Sequence, residues 1–179
     1  KRKSGFLPPS FQTNTTVGSG IAAPYFVNIS QNRDLTITPK LYFNENPLLL
    51  TEYRHSFKNS FLIVDSGYTS GYKKNTLKKS TGSRTHLFSK FNLDLSKKSD
   101  ETKTVDLKIQ RANNDTYFKI HDINTALVKN DINILENTFD YSYELKDLYF
   151  GANMSVFENI TYNNNERFEY LLPVTLEKN

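Results

Sequence analysis

The stretch DLTITPKLYF, residues 34–43, alternates along its length: Leu35, Ile37, Leu41 and Phe43 are apolar, while Thr36, Thr38, Lys40 and Tyr42 fill the positions between them. Period two marks a strand with one apolar and one polar face, because successive side chains of an extended chain point to opposite sides. Pro39 interrupts this pattern, and Pro24 interrupts the preceding segment IAAPYFVNIS in the same way. Proline lacks the N–H that a sheet ladder uses and is normally confined to edges or bulges. Two prolines inside strand-like sequence therefore need an explanation.

The same alternation continues outward. In LLLTEYRHSFK, Leu49, Tyr53 and Phe57 share one parity, and Glu52, Arg54, Ser56 and Lys58 share the other. The intervening NENP has turn composition, and SFLIVDSGYTSGY follows after a very short link, so three neighbouring antiparallel strands form a meander. Beyond the basic connection YKKNTLKKSTGS, the segment RTHLFSKFNLDLS sets Leu87, Phe91, Leu93 and Leu95 against Arg84, His86, Lys90, Asn92 and Asp94. After the charged turn KKSDETK, Val105, Leu107 and Ile109 oppose Asp106, Lys108 and Gln110. NNDTYFKIHDIN is polar and irregular and is expected to be a loop or a bent strand end. ILENTFDYSYELK, DLYFGANMSVFENI and RFEYLLPVTLEK then read as three more strands.

The expectation is an all-β, antiparallel up-and-down meander of about eight to ten strands, each longer than the usual 5 or 6 residues. Long strands of this kind have two physical explanations. The apolar face packs on a second sheet, or it faces lipid around a polar lumen. The charge on the polar face (Lys40, Arg54, Lys90, Asp94, Asp106, Lys108, Asp140, Glu144) suits a wet interior, and Tyr25, Phe43, Tyr68 and Tyr170 sit where an interfacial girdle would. A crossing strand needs ~9 to 11 tilted residues, which matches the lengths. A soluble sandwich also has a charged exterior, so both explanations stay open on composition alone.

Of 179 residues none is cysteine, which excludes disulfides and zinc-thiolate sites within the chain. The net charge of +4 permits an anionic partner without demanding one. His55, His86 and His121 lie in different segments without metal-pair spacing and read as surface or lumen histidines. No nucleophile elbow or phosphate loop is present, and the basic clusters read as solvated terminus and loop rather than a nucleic-acid groove. The reading is of a non-enzyme without cofactor or metal.

KRKSGFLPPSF followed by PYFVNISQNRDLTITPKLYF resembles the start of the membrane barrel in the LPS-assembly protein LptD family. The matching residues are Lys3 to Pro8, Phe11, Pro24 to Phe26, Asn28, Ile29, Asn32, Asp34 and Thr36 to Lys40. NNDTYFKIHD and FEYLLPVTLEK resemble later family stretches more loosely. The resemblance implies that residues 1–16 lead in from a preceding periplasmic jelly-roll domain. It implies that residues 17–179 supply the first strands of a large transmembrane β-barrel that they do not close alone. The implied location is the outer membrane of a Gram-negative bacterium. The implied partners are lipopolysaccharide, membrane lipid, an LptE-like lipoprotein plug and a periplasmic LptA-like bridge. The implied activity is lateral release of lipopolysaccharide between the first and last strands, with Pro24 and Pro39 at the lateral gate. Lys40, Arg54 and Lys108 are candidate phosphate contacts on charge alone. The alternatives from other classes are a small self-contained barrel acting as a pore or adhesin scaffold, and a soluble antiparallel sandwich that binds carbohydrate or protein.

Overall fold

The alternating segments become strands of a single antiparallel sheet in the computed structural model, which describes residues 2–76, 79–97, 100–162 and 165–178. Leu77–Lys78 of the basic connection and Lys98–Ser99 of the charged turn lie outside the described residues. The sheet begins with β1 (Gly5–Phe6), β2 (Ser10–Asn14), β3 (Gly18–Ala22) and β4 (Tyr25–Ser30). It continues through β5 (Arg33–Tyr42), β6 (Leu48–Ser56), β7 (Ser60–Thr76), β8 (Lys79–Asp94) and β9 (Glu101–Ala112). A short helix, α1 (Tyr117–Ile120), precedes β10 (Ile134–Leu145), β11 (Leu148–Asn159), β12 (Phe168–Leu171) and β13 (Val174–Lys178). From β4 to β12 each strand pairs with the next in sequence, as a meander requires.

Among the described residues thirteen strands make ten passes, because three passes are interrupted at proline. β3 and β4 pair with β5 in one continuous register, Gly20 opposite Tyr42 and Tyr25 opposite Ile37, so Ala23–Pro24 breaks the strand without shifting it. β12 and β13 hold one register on β11 across Pro173, from Ser155 opposite Leu171 to Ala152 opposite Val174. β1 and β2 flank Pro8–Pro9 and pair with β4 and β3 respectively, offset by one residue between the halves. The stretch expected as a lead-in thus contributes paired strand from Gly5 onward.

The two faces are as different as the sequence implied. Leu35, Tyr53, Val64, Leu87, Leu107, Phe139 and Met154 lie on one side, and Asp34, Arg54, Asp65, Lys90, Asp106, Asp140 and Asn153 on the other. No second sheet covers the apolar side among the described residues. Leu41, Leu49, Leu87, Met154 and Leu176 remain 45–70% exposed there. An uncovered apolar face that runs across a whole sheet is a surface for lipid or another apolar partner, not for water. Tyr25, Phe43, Tyr68 and Tyr170 all lie on it or at its ends. Among the described residues no helix is long and apolar enough to cross a membrane, which says nothing of strands.

The core is on the other side. Residues 113–133, of which 113–124 are expected from sequence as a loop or bent strand end, fold back over the polar face, and α1 buries Tyr117 and Phe118 completely. Ile123 and Val128 complete this plug, which packs on Leu48, Leu50 and Phe88 of the sheet. Phe118 meets His86 and Phe88 edge-on and Tyr117 at a tilt, at centroid distances of 5.3–5.5 Å. Aromatic pairs in this geometry add about 0.5–1.5 kcal/mol each to the stabilisation from burial.

Candidate functional site

Four features bear on function: a cross-strand charge ladder, a cavity and the plug contacts on the polar face, and the proline seams between strands. In the ladder, Arg54 stands directly opposite Asp34 and donates to it at 2.8 Å, while Arg2 reaches the other oxygen of Asp34 at 3.1 Å. Asn92 donates to Asp106, Lys108 to Glu136, and Asn153 to Asp140. These cross-strand pairs satisfy much of the charge on this face, as a wet interior demands, while the second oxygen of Asp65 is buried without a hydrogen-bond partner.

Between the first strands and the plug lies a cavity of ≈520 Å³, lined by Gln12, Pro24, Thr38, Lys40, Arg54 and Asp65 among others. It brings together three of the five residues singled out from sequence: Pro24, Lys40 and Arg54. Lys108 lies apart, in a smaller cavity with Phe88, Lys90 and Gln110. Pro39 lies at an odd position of β5, on the apolar side. All three candidate phosphate contacts have partners within the chain. Arg54 is held by Asp34 and Lys108 by Glu136, and Lys40 is buried with its ammonium on two backbone carbonyls, those of His121 and Asp122, at 3.0 and 2.9 Å.

Of the histidines read from sequence as surface or lumen groups, His86 and His121 lie buried at the plug on the polar face. His86 donates from Nε2 to Asp65 Oδ1 at 3.0 Å, and its Nδ1 lies 3.4 Å from the Tyr117 hydroxyl. This approach requires Gly67: a Cβ there would sit 2.5 Å from the His86 ring and 2.6 Å from the Tyr117 oxygen. Tyr42 and His121 share a hydrogen bond of 3.0 Å between hydroxyl and Nδ1. Burial, reinforced by the Lys40 and Arg84 charges and opposed by Glu45, lowers the His121 pKa to about 4. Burial likewise raises the Tyr117 hydroxyl, with Tyr42 and Asp65 adding to the effect. Among the described residues no group of three or more His, Asp or Glu side chains is placed to hold a metal ion.

The prolines give the seams between strands a definite chemistry. In an antiparallel ladder, residues of a hydrogen-bonded pair exchange two bonds. Ala23 donates to the Pro39 carbonyl at 3.1 Å, and the return bond from Pro39 to Ala23 cannot form. Leu7 donates to the Pro24 carbonyl at 2.9 Å, again with no return. Asn153 donates to the Pro173 carbonyl at 3.0 Å in the same one-armed fashion. Pro173 was not singled out from sequence, although it interrupts FEYLLPVTLEK just as Pro24 interrupts IAAPYFVNIS.

No family model matches the chain. It is similar to curated proteins named LPS-assembly protein LptD from several bacteria. It is 30% identical to that of Nitrosococcus oceani over 151 residues, covering 80% of this chain and 18% of the relative. It is 49% identical to that of Shewanella oneidensis over 55 residues, 31% of this chain and 7% of the relative. For Pseudomonas aeruginosa the identity is 35% over 68 residues, 38% of this chain and 7% of the relative. The chain thus spans less than a fifth of the length of these relatives.

Proposed function

This chain belongs to the LPS-assembly protein LptD family, and from that premise we propose that it forms the early wall of an outer-membrane barrel that passes lipopolysaccharide to the cell surface. The observation that carries the reading is the wall itself: a single sheet with an uncovered apolar face on one side and a charged, plugged face on the other. That asymmetry is what a lipid-facing, water-lined barrel needs, and it disfavours a soluble sandwich, whose apolar face would be covered. The ten passes do not need to close on themselves if further strands of a longer protein complete the ring. The same reading assigns an LptE-like lipoprotein to the lumen, an LptA-like bridge to a periplasmic domain outside this chain, and a Gram-negative outer membrane as the setting.

Within this wall, Pro24 and Pro39 form one side of a lateral gate. Each removes one arm of a hydrogen-bonded pair, in two successive seams next to the β1 edge. At about 0.5–1.5 kcal/mol per bond, each missing arm makes its own seam easier to open by roughly 2- to 12-fold. The test is the Pro24→Ala, Pro39→Ala double variant of the full-length parent, assayed for delivery of lipopolysaccharide to the cell surface. Delivery is expected to fall, and crosslinking across the seam to rise. Unchanged delivery with unchanged crosslinking overturns the gate.

A further inference from the structure

We propose that each proline-weakened seam is closed at one end by its hairpin turn and at the other by a side chain that ties across it: Arg2 onto Asp34 for the first seam, and Asn14 onto the Ile120 carbonyl for the second. The proposal rests on the transport reading, and it deepens that reading by naming the contacts that opening of either seam must break.

The two seams are tied at opposite ends. The first runs between β1–β2 and β3–β4, and the turn at residues 15–17 joins β2 to β3 at one end of it. The second runs between β3–β4 and β5, and the turn at residues 31–32 joins β4 to β5 at the other end of the sheet. A seam tied by a turn opens from its far end. For the first seam that end is at Gly5 opposite Phe26, and for the second it is at Gly20 opposite Tyr42. Fraying that starts there meets a ladder already short of one arm, at Pro24 in the first seam and at Pro39 in the second.

At the untied end of the first seam, the chain before β1 is fastened by the strands beyond it. Arg2 reaches across β4 to Asp34 of β5 at 3.1 Å, and Arg54 of β6 holds the other oxygen of Asp34 at 2.8 Å. Asn28 of β4 adds two bonds, from its side-chain amide to the Arg2 carbonyl at 3.0 Å and from its backbone N–H to the Ser4 hydroxyl at 2.8 Å. Asp34 stays with β4, because the 31–32 turn lies beside it. Peeling β1 away therefore draws Arg2 off Asp34 and breaks all three bonds.

At the untied end of the second seam, the fastening joins the β2–β3 turn to the plug. Asn14, the last residue of β2, donates to the Ile120 carbonyl at 3.0 Å. Its own oxygen accepts from the Thr16 N–H at 2.7 Å, so one side chain orders the turn and ties it to α1. Val17 of the same turn is buried in the core cluster that holds Tyr42 and Tyr117. Ile120 belongs to the β5 side of this seam: Lys40 and Tyr42 of β5 hold the next two residues, and Phe118 packs on Phe88 of β8. Swinging the β2–β3 hairpin away from β5 pulls Asn14 off Ile120, whereas the contacts of Lys40 and Tyr42 stay intact. The two fastenings also differ in kind. Arg2 is mostly exposed, so salt screens its attraction to Asp34, while the bond from Asn14 is neutral and insensitive to salt.

The test follows hydrogen exchange at one amide in each seam, in the full-length parent with its natural lipoprotein partner. Leu7, which donates to the Pro24 carbonyl, reports the first seam, and Phe43, which donates to the Ser19 carbonyl, reports the second. Arg2→Met combined with Ser4→Ala leaves Arg54 on Asp34 and is expected to quicken exchange at Leu7 about threefold or more, with Phe43 unchanged. Asn14→Asp keeps an oxygen for Thr16 but has no donor for Ile120. It is expected to quicken Phe43 about two- to twelvefold, with Leu7 unchanged. Adding the missing arm should reverse each effect in its own seam, Pro24→Ala in the first and Pro39→Ala in the second. Raised salt should quicken Leu7 alone in the wild type, and this response decides the first seam if the double variant does not assemble. Asn14→Ser, too short to reach Ile120, decides the second if Asn14→Asp does not assemble. Unchanged exchange at Leu7 or at Phe43 overturns the fastening of that seam. Equal quickening of both amides by either variant overturns the proposal as a whole, since general loss of stability gives that result. Because exchange does not depend on delivery, these failures are distinct from failure of the transport reading, which the proline double variant measures.

Discussion

Replacing Phe118 with alanine separates the plug from the wall energetically. Phe118 is fully buried and touches Phe88, His86 and Tyr117 through ring contacts of 5.3–5.5 Å. Truncating a buried phenylalanine costs about 3–5 kcal/mol, combining lost transfer energy with the cavity left behind. The wall has its own ladder bonds, so this loss falls on docking of residues 113–133. A loss of about 4 kcal/mol raises the undocked fraction by up to roughly a thousandfold. The amides that report this are Ile120, His121, Ile123 and Thr125, which donate to Thr116, Tyr117, Phe118 and Val128 at 2.9–3.2 Å. Hydrogen exchange on the assembled parent should show these amides losing protection while β7 and β8 keep theirs. Phe118→Leu, which retains most of the volume, should cost much less. Equal loss of protection in the plug and in β7 and β8 would show that the plug and wall are one cooperative unit, and the reasoning would fail.

Acid should loosen the same segment. A free histidine binds a proton near pH 6.5, whereas docked His121 does so only near 4, so between these values the undocked state binds more protons and docking weakens as pH falls. Docking is at full strength above about 6.5 and loses roughly 2 kcal/mol by pH 5; exchange of residues 117–125, corrected for intrinsic rate, should quicken across that window and stay flat above it. On the outer face, Leu41→Arg should cost about 2–4 kcal/mol if that position lies deep in lipid. Thr38→Arg, which points into the cavity, should cost less, and the amounts of each variant assembled in the outer membrane measure the difference. Equal amounts of the two would contradict a lipid-facing apolar side.

The wall was legible because its signal is local. Alternation at residues 34–43 assigns Leu35 and Ile37 to one face and Thr36 and Thr38 to the other before any partner strand is known, and pairing with β6 preserves that assignment. The plug was not legible, because its burial is decided by residues far away in the chain. Tyr117 and Phe118 sit in polar surroundings in the sequence, and NNDTYFKIHDIN looks like solvated loop. The signal that would have found it lies in the strands: Leu48, Leu50, Phe88 and Ala112 occupy positions on the polar face, clustered toward one end. Apolar side chains on a wet face need a cover, and residues 113–133 provide it. Charge followed the same division. That Lys40, Arg54 and Lys108 would point inward could be read from parity, but their partners could not. Pairing Arg54 with Asp34 needs the hairpin register, and placing Lys40 on His121 and Asp122 needs the fold of a segment eighty residues on.

Parity also decides which seam each proline weakens. Along β5, odd residues bond toward β3 and β4, as Ala23 to Pro39 and Phe43 to Ser19 show, while even residues bond toward β6, as does the Asn32 carbonyl just before the strand. A proline at position 38 would have cost a bond to β6, inside the meander; at 39 the cost falls on the side facing the edge. Pro24 follows the same rule one strand further out, where its missing arm faces Leu7 and not β5. Pro173 leaves the same gap in the seam between β11 and β12–β13, with its missing arm toward Asn153 of β11. The remaining prolines, Pro8, Pro9 and Pro47, lie in the break between β1 and β2 and in the turn before β6. No proline weakens a seam between β5 and β11. Because each one keeps its carbonyl in the ladder, register is held while the bond count falls, so each of these seams loosens without slipping, and the centre of the sheet, where the plug is anchored to β7 and β8, loses no ladder bond to proline.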